Sequence, residues 1–334
     1  MRFVLVMFLL LSILWIPISV FADIGGGTWT ACSCNPILSP TRNSWDNSSI
    51  TYPRVIFDGK LYYMWYTGFA STNRTSSQIG YASSSDGKTW VKNPQPVLRP
   101  SHGSWDDHSL REAWVILDGS TFKMWYVASG SSEYAIGYAT SPDGKTWTKY
   151  AKNPIIHSTE YLGYPTVIED GHTFKMWYAH ALVSISYAIS TDGITWTWKG
   201  DAVKVGKVAD WDAGWLFSPS VIHDSNGYKM WYSALSADGR RAGVGFAFSS
   251  DGVTWTKYSG NPVLPNTGNQ VVVLVGKTYM MYYPTINGLG LAEASFETVI
   301  PEFPFGVQYF TVLILLATAL LVKSRSMHCK NYGV

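Results

Sequence analysis

Charge is scarce in this 334-residue chain. Asp, Glu, Lys and Arg make up 14% of it, against about 25% in an ordinary soluble domain. The formal net charge is only +2, so the sequence offers no basic field for a nucleic acid, and no nucleic-acid partner is expected. Cysteine is nearly absent. Cys329 lies near the C-terminus, and Cys32 and Cys34 are one residue apart, a spacing at which a bridge is strained. No metal-ligand spacing is present, so no metal is expected, and nothing requires a cofactor. What is abundant is aromatic: 15% of the chain, with 16 Trp and 21 Tyr. That composition suits an all-β protein with aromatic-rich strands.

Both ends carry processing or membrane signals. Residues 1–22 hold Arg2, an apolar run and Val20-Phe21-Ala22, the small-residue pattern of signal-peptidase cleavage before Asp23. A linker at 299–304 includes Pro301-Glu302-Phe303-Pro304. The apolar stretch 305–322 is long enough to span a bilayer, and the basic tail 323–334 places its end in the cytoplasm. The Pro-Glu-Phe triplet, apolar span and basic tail resemble PEF-type C-terminal sorting signals of archaeal surface proteins. Whether the span is retained as a plain anchor or exchanged for another one, the expected location is extracellular, tethered to the membrane or cell surface.

Between the ends, one pattern recurs. Val55-Ile56-Phe57-Asp58-Gly59 is followed by Met64-Trp65-Tyr66, and the same order returns at Val115 with Met124-Trp125-Tyr126 and at Val167 with Met176-Trp177-Tyr178. It returns again at Val221 with Met230-Trp231-Tyr232, and in worn form at Val272 with Met281-Tyr282-Tyr283. Each copy reads as strand, turn, strand. A second hairpin ends at Trp90, Trp147, Trp196 and Trp255, so a complete unit has four strands, the size of a propeller blade. The fifth copy lacks this ending, but Gly27-Thr28-Trp29-Thr30 and Asn35-Pro36-Ile37-Leu38 repeat Thr254-Trp255-Thr256 and Asn261-Pro262-Val263-Leu264. The expected fold is therefore all-β: a five-bladed β-propeller over residues 23–298, closed by its N-terminal strand, with a signal peptide and a C-terminal transmembrane helix.

Five such copies, with an inner strand reading Pro-x-Val-Ile and an aromatic second strand, resemble the five-bladed propeller glycosidases of the arabinanase/β-xylosidase and invertase/levansucrase clans. The Ser-x-Asp-Gly-x-Thr-Trp turns also resemble a sialidase Asp-box shortened by one residue. The first resemblance implies a funnel at the start of the inner strands, with a general-base Asp followed by Pro on the first blade. Tyr52-Pro53 stands there instead, and the later acid Glu has no counterpart at Gly163-Tyr164-Pro165 or Phe217-Ser218-Pro219.

Residues shared by every copy read as architecture, so a site must use those that break the pattern. Most lie in the second copy. Glu112 occupies the funnel position and is the expected acid or base. Candidates for the second carboxyl, which glycoside hydrolysis needs, are Asp46, Asp107, Asp212 and Glu160. Arg111 and His108 are candidates to hold hydroxyls, Trp114 and Trp215 to stack on a sugar ring, and Tyr52, Tyr164, Glu160 and His180 to line the mouth. The expected function is a surface-anchored glycoside hydrolase-like monomer acting on an oligo- or polysaccharide. The alternative is a non-catalytic carbohydrate-binding or surface-layer propeller.

Overall fold

The computed structural model describes residues 29–70, 76–129 and 134–295. The expected signal peptide, linker, transmembrane span and basic tail lie outside these residues. Among the described residues there are 22 strands and no helix.

The strands form five antiparallel units in chain order. In the first, Ser49–Phe57 pairs with Tyr62–Phe69, which pairs with Ser77–Ser84, which pairs with Val91–Lys92. The second runs Ser109–Asp118, Thr121–Ser129, Tyr134–Ser141, Thr148–Lys149. The third and fourth begin at Leu162–Asp170 and Leu216–Asp224 and repeat the order. In the fifth, Val271–Val275, Thr278–Thr285 and Gly288–Ser295 pair in turn, and the outer place is taken by Thr30–Ala31. Each inner strand touches that of the next unit, and the fifth touches the first.

The N-terminal segment matches the other outer strands in detail. Asn153 accepts the Tyr138 N–H and donates to the Tyr138 carbonyl, and Asn261 does the same with Phe246. Asn35 treats Leu291 identically, although the two are 256 positions apart. Trp29 packs edge-on against Trp231 with ring centroids 6.3 Å apart. Cys32 and Cys34, beside this strand, are joined by a disulfide.

Why these units adhere follows from the Met-Trp-Tyr run. Its Met and Trp are fully buried in four units, and a buried indole N–H requires an acceptor. Trp65 donates to the Gly144 carbonyl at 2.9 Å, Trp125 to Gly193 at 2.8 Å and Trp177 to Gly252 at 3.0 Å. Each acceptor lies in the Asp-Gly-x-Thr-Trp turn of the following unit. In the fifth unit Tyr282 replaces Trp, and its hydroxyl reaches the Gly87 carbonyl of the first unit at 3.1 Å. The turns are rigid. Asp86 accepts the N–H groups of Lys88 and Thr89 and the Thr89 hydroxyl, Asp143 and Asp192 repeat the arrangement, and Asp251 accepts the two corresponding N–H groups. The Thr146 and Lys145 N–H groups hold the Asp143 carboxyl down to about 2. These aspartates belong to the turns.

Candidate functional site

The site begins with a backbone feature. Tyr52, Glu112, Tyr164, Ser218 and Asn269 stand at the same place in the five units, and all are left-handed, with φ between 49° and 57°. In four units a β-bulge spans this residue, between Thr51 and Arg54, Arg111 and Trp114, Gly163 and Thr166, Phe217 and Ser220. A bulge re-aims a side chain and is common beside active sites, and left-handed non-glycine residues store about 1–3 kcal/mol of strain each. All five residues line one cavity of about 30 Å³.

The next ring down stitches the inner strands together. Arg54 Nε donates to the Val115 carbonyl at 2.9 Å, Trp114 Nε1 to the Val167 carbonyl at 2.6 Å and the Thr166 hydroxyl to the Pro219 carbonyl at 2.5 Å. The Val272 N–H donates to the Ser220 hydroxyl at 2.9 Å. The Arg54 guanidinium lies 3.6 Å from the Trp114 ring centroid, and burial lowers its pKa to about 9.

Glu112 is the acidic side chain of the cavity wall, and only 5% of it is exposed. Its Oε2 accepts the Tyr164 N–H at 2.8 Å. Its Oε1 lies 3.9 Å from Arg111 Nε, which has no hydrogen-bond partner among the described residues. Burial pushes the Glu112 pKa up, and Arg111 and the Tyr164 N–H only partly offset this. The carboxyl is thus biased toward its neutral, proton-donating form.

Aromatic rings crowd around it. Tyr164 lies 5.5 Å from Tyr52, 5.6 Å from Phe217 and 6.2 Å from Tyr161, centroid to centroid. Burial, reinforced by Glu112, raises the Tyr161 and Tyr164 hydroxyls far above their usual range, so both stay neutral. Gly163 leaves room for this packing. A Cβ there would lie 2.7 Å from Glu112 Oε2 and 2.8 Å from the Tyr161 hydroxyl.

The other expected site residues fall into three groups. Glu112, Tyr52, Tyr164 and Trp114 line the cavity, although Trp114 is 94% covered, partly by Arg54. Asp46 and Asp212 do not line it. Asp46 is buried and takes Lys92 Nζ at 2.6 Å and the Tyr66 hydroxyl at 3.1 Å. Asp212 takes Lys257 at 2.6 Å and Tyr232 at 3.1 Å, and Asp106 holds the same place with Lys149 and Tyr126. These aspartates neutralise a lysine and fix a loop in three units. Asp107 pairs with the exposed His108, and Glu160 with His180 at 3.3 Å. Trp215 is half exposed. Sequence reasoning overlooked Tyr161 and Gly163, which pack beside Glu112.

No protein-family profile matches the chain. An uncharacterized protein of Mycobacterium tuberculosis is 26% identical over 276 residues, covering 73% of this chain and 89% of the relative. Among solved structures, a β-1,2-mannobiose phosphorylase from Listeria innocua superimposes with TM-score 0.67 at 13% identity, covering 80% of this chain and 96% of its own. A structure of the GH130 family of mannoside phosphorylases, described as containing glycoside hydrolases that target β-1,2-mannosidic linkages in Candida mannan, gives 0.67 at 17%, covering 82% and 98%. A thermostable family-43 glycoside hydrolase gives 0.61 at 19%, covering 78% and 95%. The fold is that of the propeller-like glycosidases.

Proposed function

We propose that this chain is a glycoside hydrolase-like protein acting on an oligo- or polysaccharide, with Glu112 as its proton donor. The observation that carries this reading is the placement of Glu112. It is the acidic side chain of the cavity wall, buried and biased toward the neutral form. A carboxylic acid kept neutral can protonate a departing glycosidic oxygen. The second carboxyl must sit about 5–5.5 Å away for retention or about 6.5–9.5 Å for inversion. Lysines already engage Asp46 and Asp212, so the candidates for the water-activating role are Asp107 and Glu160, which pair with histidines outside the lining of the cavity and would have to approach Glu112 to this distance with substrate bound. Arg111 would hold a substrate hydroxyl beside Glu112.

One observation favours the second reading, a non-catalytic carbohydrate-binding propeller. The cavity at the floor is about 30 Å³, far below the about 300–1,000 Å³ of an ordinary ligand pocket. A panel of aryl glycosides and polysaccharides decides between the two. Cleavage by the wild type that disappears in Glu112→Gln supports catalysis, and cleavage unchanged in that variant removes Glu112 from the role. Binding with no turnover supports the second reading.

We propose further that the five units are the five blades of a propeller closed by residues 29–31. What supports this is the pairing of Thr30–Ala31 with Gly288–Ser295 and the contact between the fifth and first inner strands. The proposed location is extracellular and surface-anchored, as a monomer, on the strength of the two terminal signals in the sequence. Mass spectrometry of the termini of the membrane-associated protein tests it: an intact residue 1 would rule out cleavage after residue 22.

A further inference from the structure

We propose that Trp215 forms a separate sugar-stacking platform on the rim of the funnel, over the third and fourth units, and that a saccharide chain leaves the floor in that direction. This rests on the carbohydrate reading above but on neither the catalytic nor the binding form of it. The floor supplies the first reason. A cavity of about 30 Å³ admits about two waters, so a sugar ring must make its contacts above the floor.

Exposed tryptophan is rare among the described residues. Trp65, Trp125, Trp177 and Trp231 are fully buried, whereas Trp215 is 51% and Trp198 60% exposed. Trp198 belongs to the outer strand Thr197–Lys204. Trp215 immediately precedes the inner strand Leu216–Asp224 and stands three residues before Ser218, which lines the cavity. It therefore enters this inner strand at the same end as the cavity-lining Ser218.

Its backbone is held from two sides. The Trp215 carbonyl accepts the Leu235 N–H at 2.9 Å, and the Leu216 N–H donates to the Leu182 carbonyl at 2.8 Å. Gly214 donates to the Leu235 carbonyl at 3.0 Å and fits so closely that a Cβ would lie 2.3 Å from the Ser236 carbonyl oxygen. An indole presented to solvent on so fixed a backbone is pre-organised for a ligand, which lowers the ordering cost of binding.

The surroundings set the kind of ligand. The turn that binds Leu216 contains Ala181 and Leu182, both left-handed, and Val183, half exposed. It starts at His180, which pairs with Glu160 at 3.3 Å, and the Ala181 N–H donates to the Tyr161 carbonyl at 2.8 Å. The Tyr161 ring lies 6.2 Å from that of the cavity-lining Tyr164, so one ring contact and two backbone hydrogen bonds link the floor, through Tyr161 and this turn, to the segment that carries Trp215. An aromatic face beside an imidazole–carboxylate pair matches a pyranose, with its apolar C–H face and hydroxyl edge. The exposed apolar side chains on these two loops are Trp215, Val183 and Val208, far less than the about 1,000 Å² or more that a stable protein interface buries.

Isothermal titration with manno-, arabino- and xylo-oligosaccharides of two to six units tests the proposal in the full-length protein. Trp215→Ala is expected to weaken the longer chains of the series that binds by at least about tenfold while leaving the disaccharide unchanged. Trp215→Phe should recover most of the loss, and Trp198→Ala should bind as the wild type. Equal affinities for all chain lengths in wild type and Trp215→Ala would overturn the platform and leave the carbohydrate reading standing. A wild type that binds none of the three series would overturn both. Thermal melts of each variant show that the fold is intact, since Trp215 is exposed and its contacts described here are made by the backbone.

Discussion

The Tyr164 backbone N–H donates to Glu112 Oε2 at 2.8 Å, so the third unit holds the carboxyl that the second unit supplies. Burial still dominates and raises the Glu112 pKa above its ordinary 4.5. A carboxyl raised in the fold gives stability that is complete below the unfolded value and lost as pH climbs through the folded value. Thermal melts in a pH series should therefore show the wild type losing stability relative to Glu112→Gln as pH rises above 4.5, with a constant gap below it. Parallel curves throughout would mean that the burial of Glu112 does not shift its titration.

Gly163→Ala inserts a methyl 2.7 Å from Glu112 Oε2 and 2.8 Å from the Tyr161 hydroxyl. Over-packing of this kind costs about 1–3 kcal/mol. Adding Tyr161→Phe removes one of the two clashing oxygens, and denaturant melts should show part of the loss restored. No restoration would mean that Tyr161 does not limit the space.

Asp46→Asn leaves Lys92, mostly buried, without its counter-charge. Removing one partner of a buried pair costs about 3–5 kcal/mol, and the partial exposure of Lys92 places the expected loss at the low end. Asp212→Asn should behave alike through Lys257. Asp107→Asn, beside an exposed histidine, should stay within about 0.5 kcal/mol. Urea unfolding separates the three, and a neutral Asp46→Asn would free Asp46 for chemistry.

Closure is tested at the seam. Tyr282→Phe removes the hydroxyl that reaches Gly87 and should cost about 1 kcal/mol. Deleting the chain through Ala31 uncovers the edge of Gly288–Ser295, and unpaired edges aggregate. Light scattering of the truncated protein should show association, and a truncated form as stable and monodisperse as the intact one would count against closure.

Much of the framework was legible in the sequence, and the reason is repetition. The copies of Met-Trp-Tyr and the displaced Asn35-Pro36 pair marked the strands and the pairing of Thr30–Ala31 with Gly288–Ser295, because spacing within a unit survives translation into structure. Contacts between units were not legible. Nothing in a linear repeat says that Trp65 reaches Gly144, that Arg54 covers Trp114 or that Tyr161 faces Glu112, since these depend on how one unit is rotated against the next. One structural pairing did leave a trace. Lys92, Lys149 and Lys257 follow Thr-Trp by two residues in the three units that contain Trp-Asp, whereas the third unit has neither Trp-Asp nor that lysine, and Trp198 stands in the lysine's place. That coincidence assigns Asp46 and Asp212 to loop fixing.

The left-handed residue at the start of each inner strand has a broader meaning. Five stations share one conformation, yet they carry Tyr, Glu, Tyr, Ser and Asn. The backbone is indifferent to what it presents, so duplication copies an empty socket and later substitution fills each one separately. An ancestor with identical sockets would have presented the same side chain at all five stations. Selectivity on such a scaffold evolves by breaking symmetry, one station at a time, with the frame left untouched.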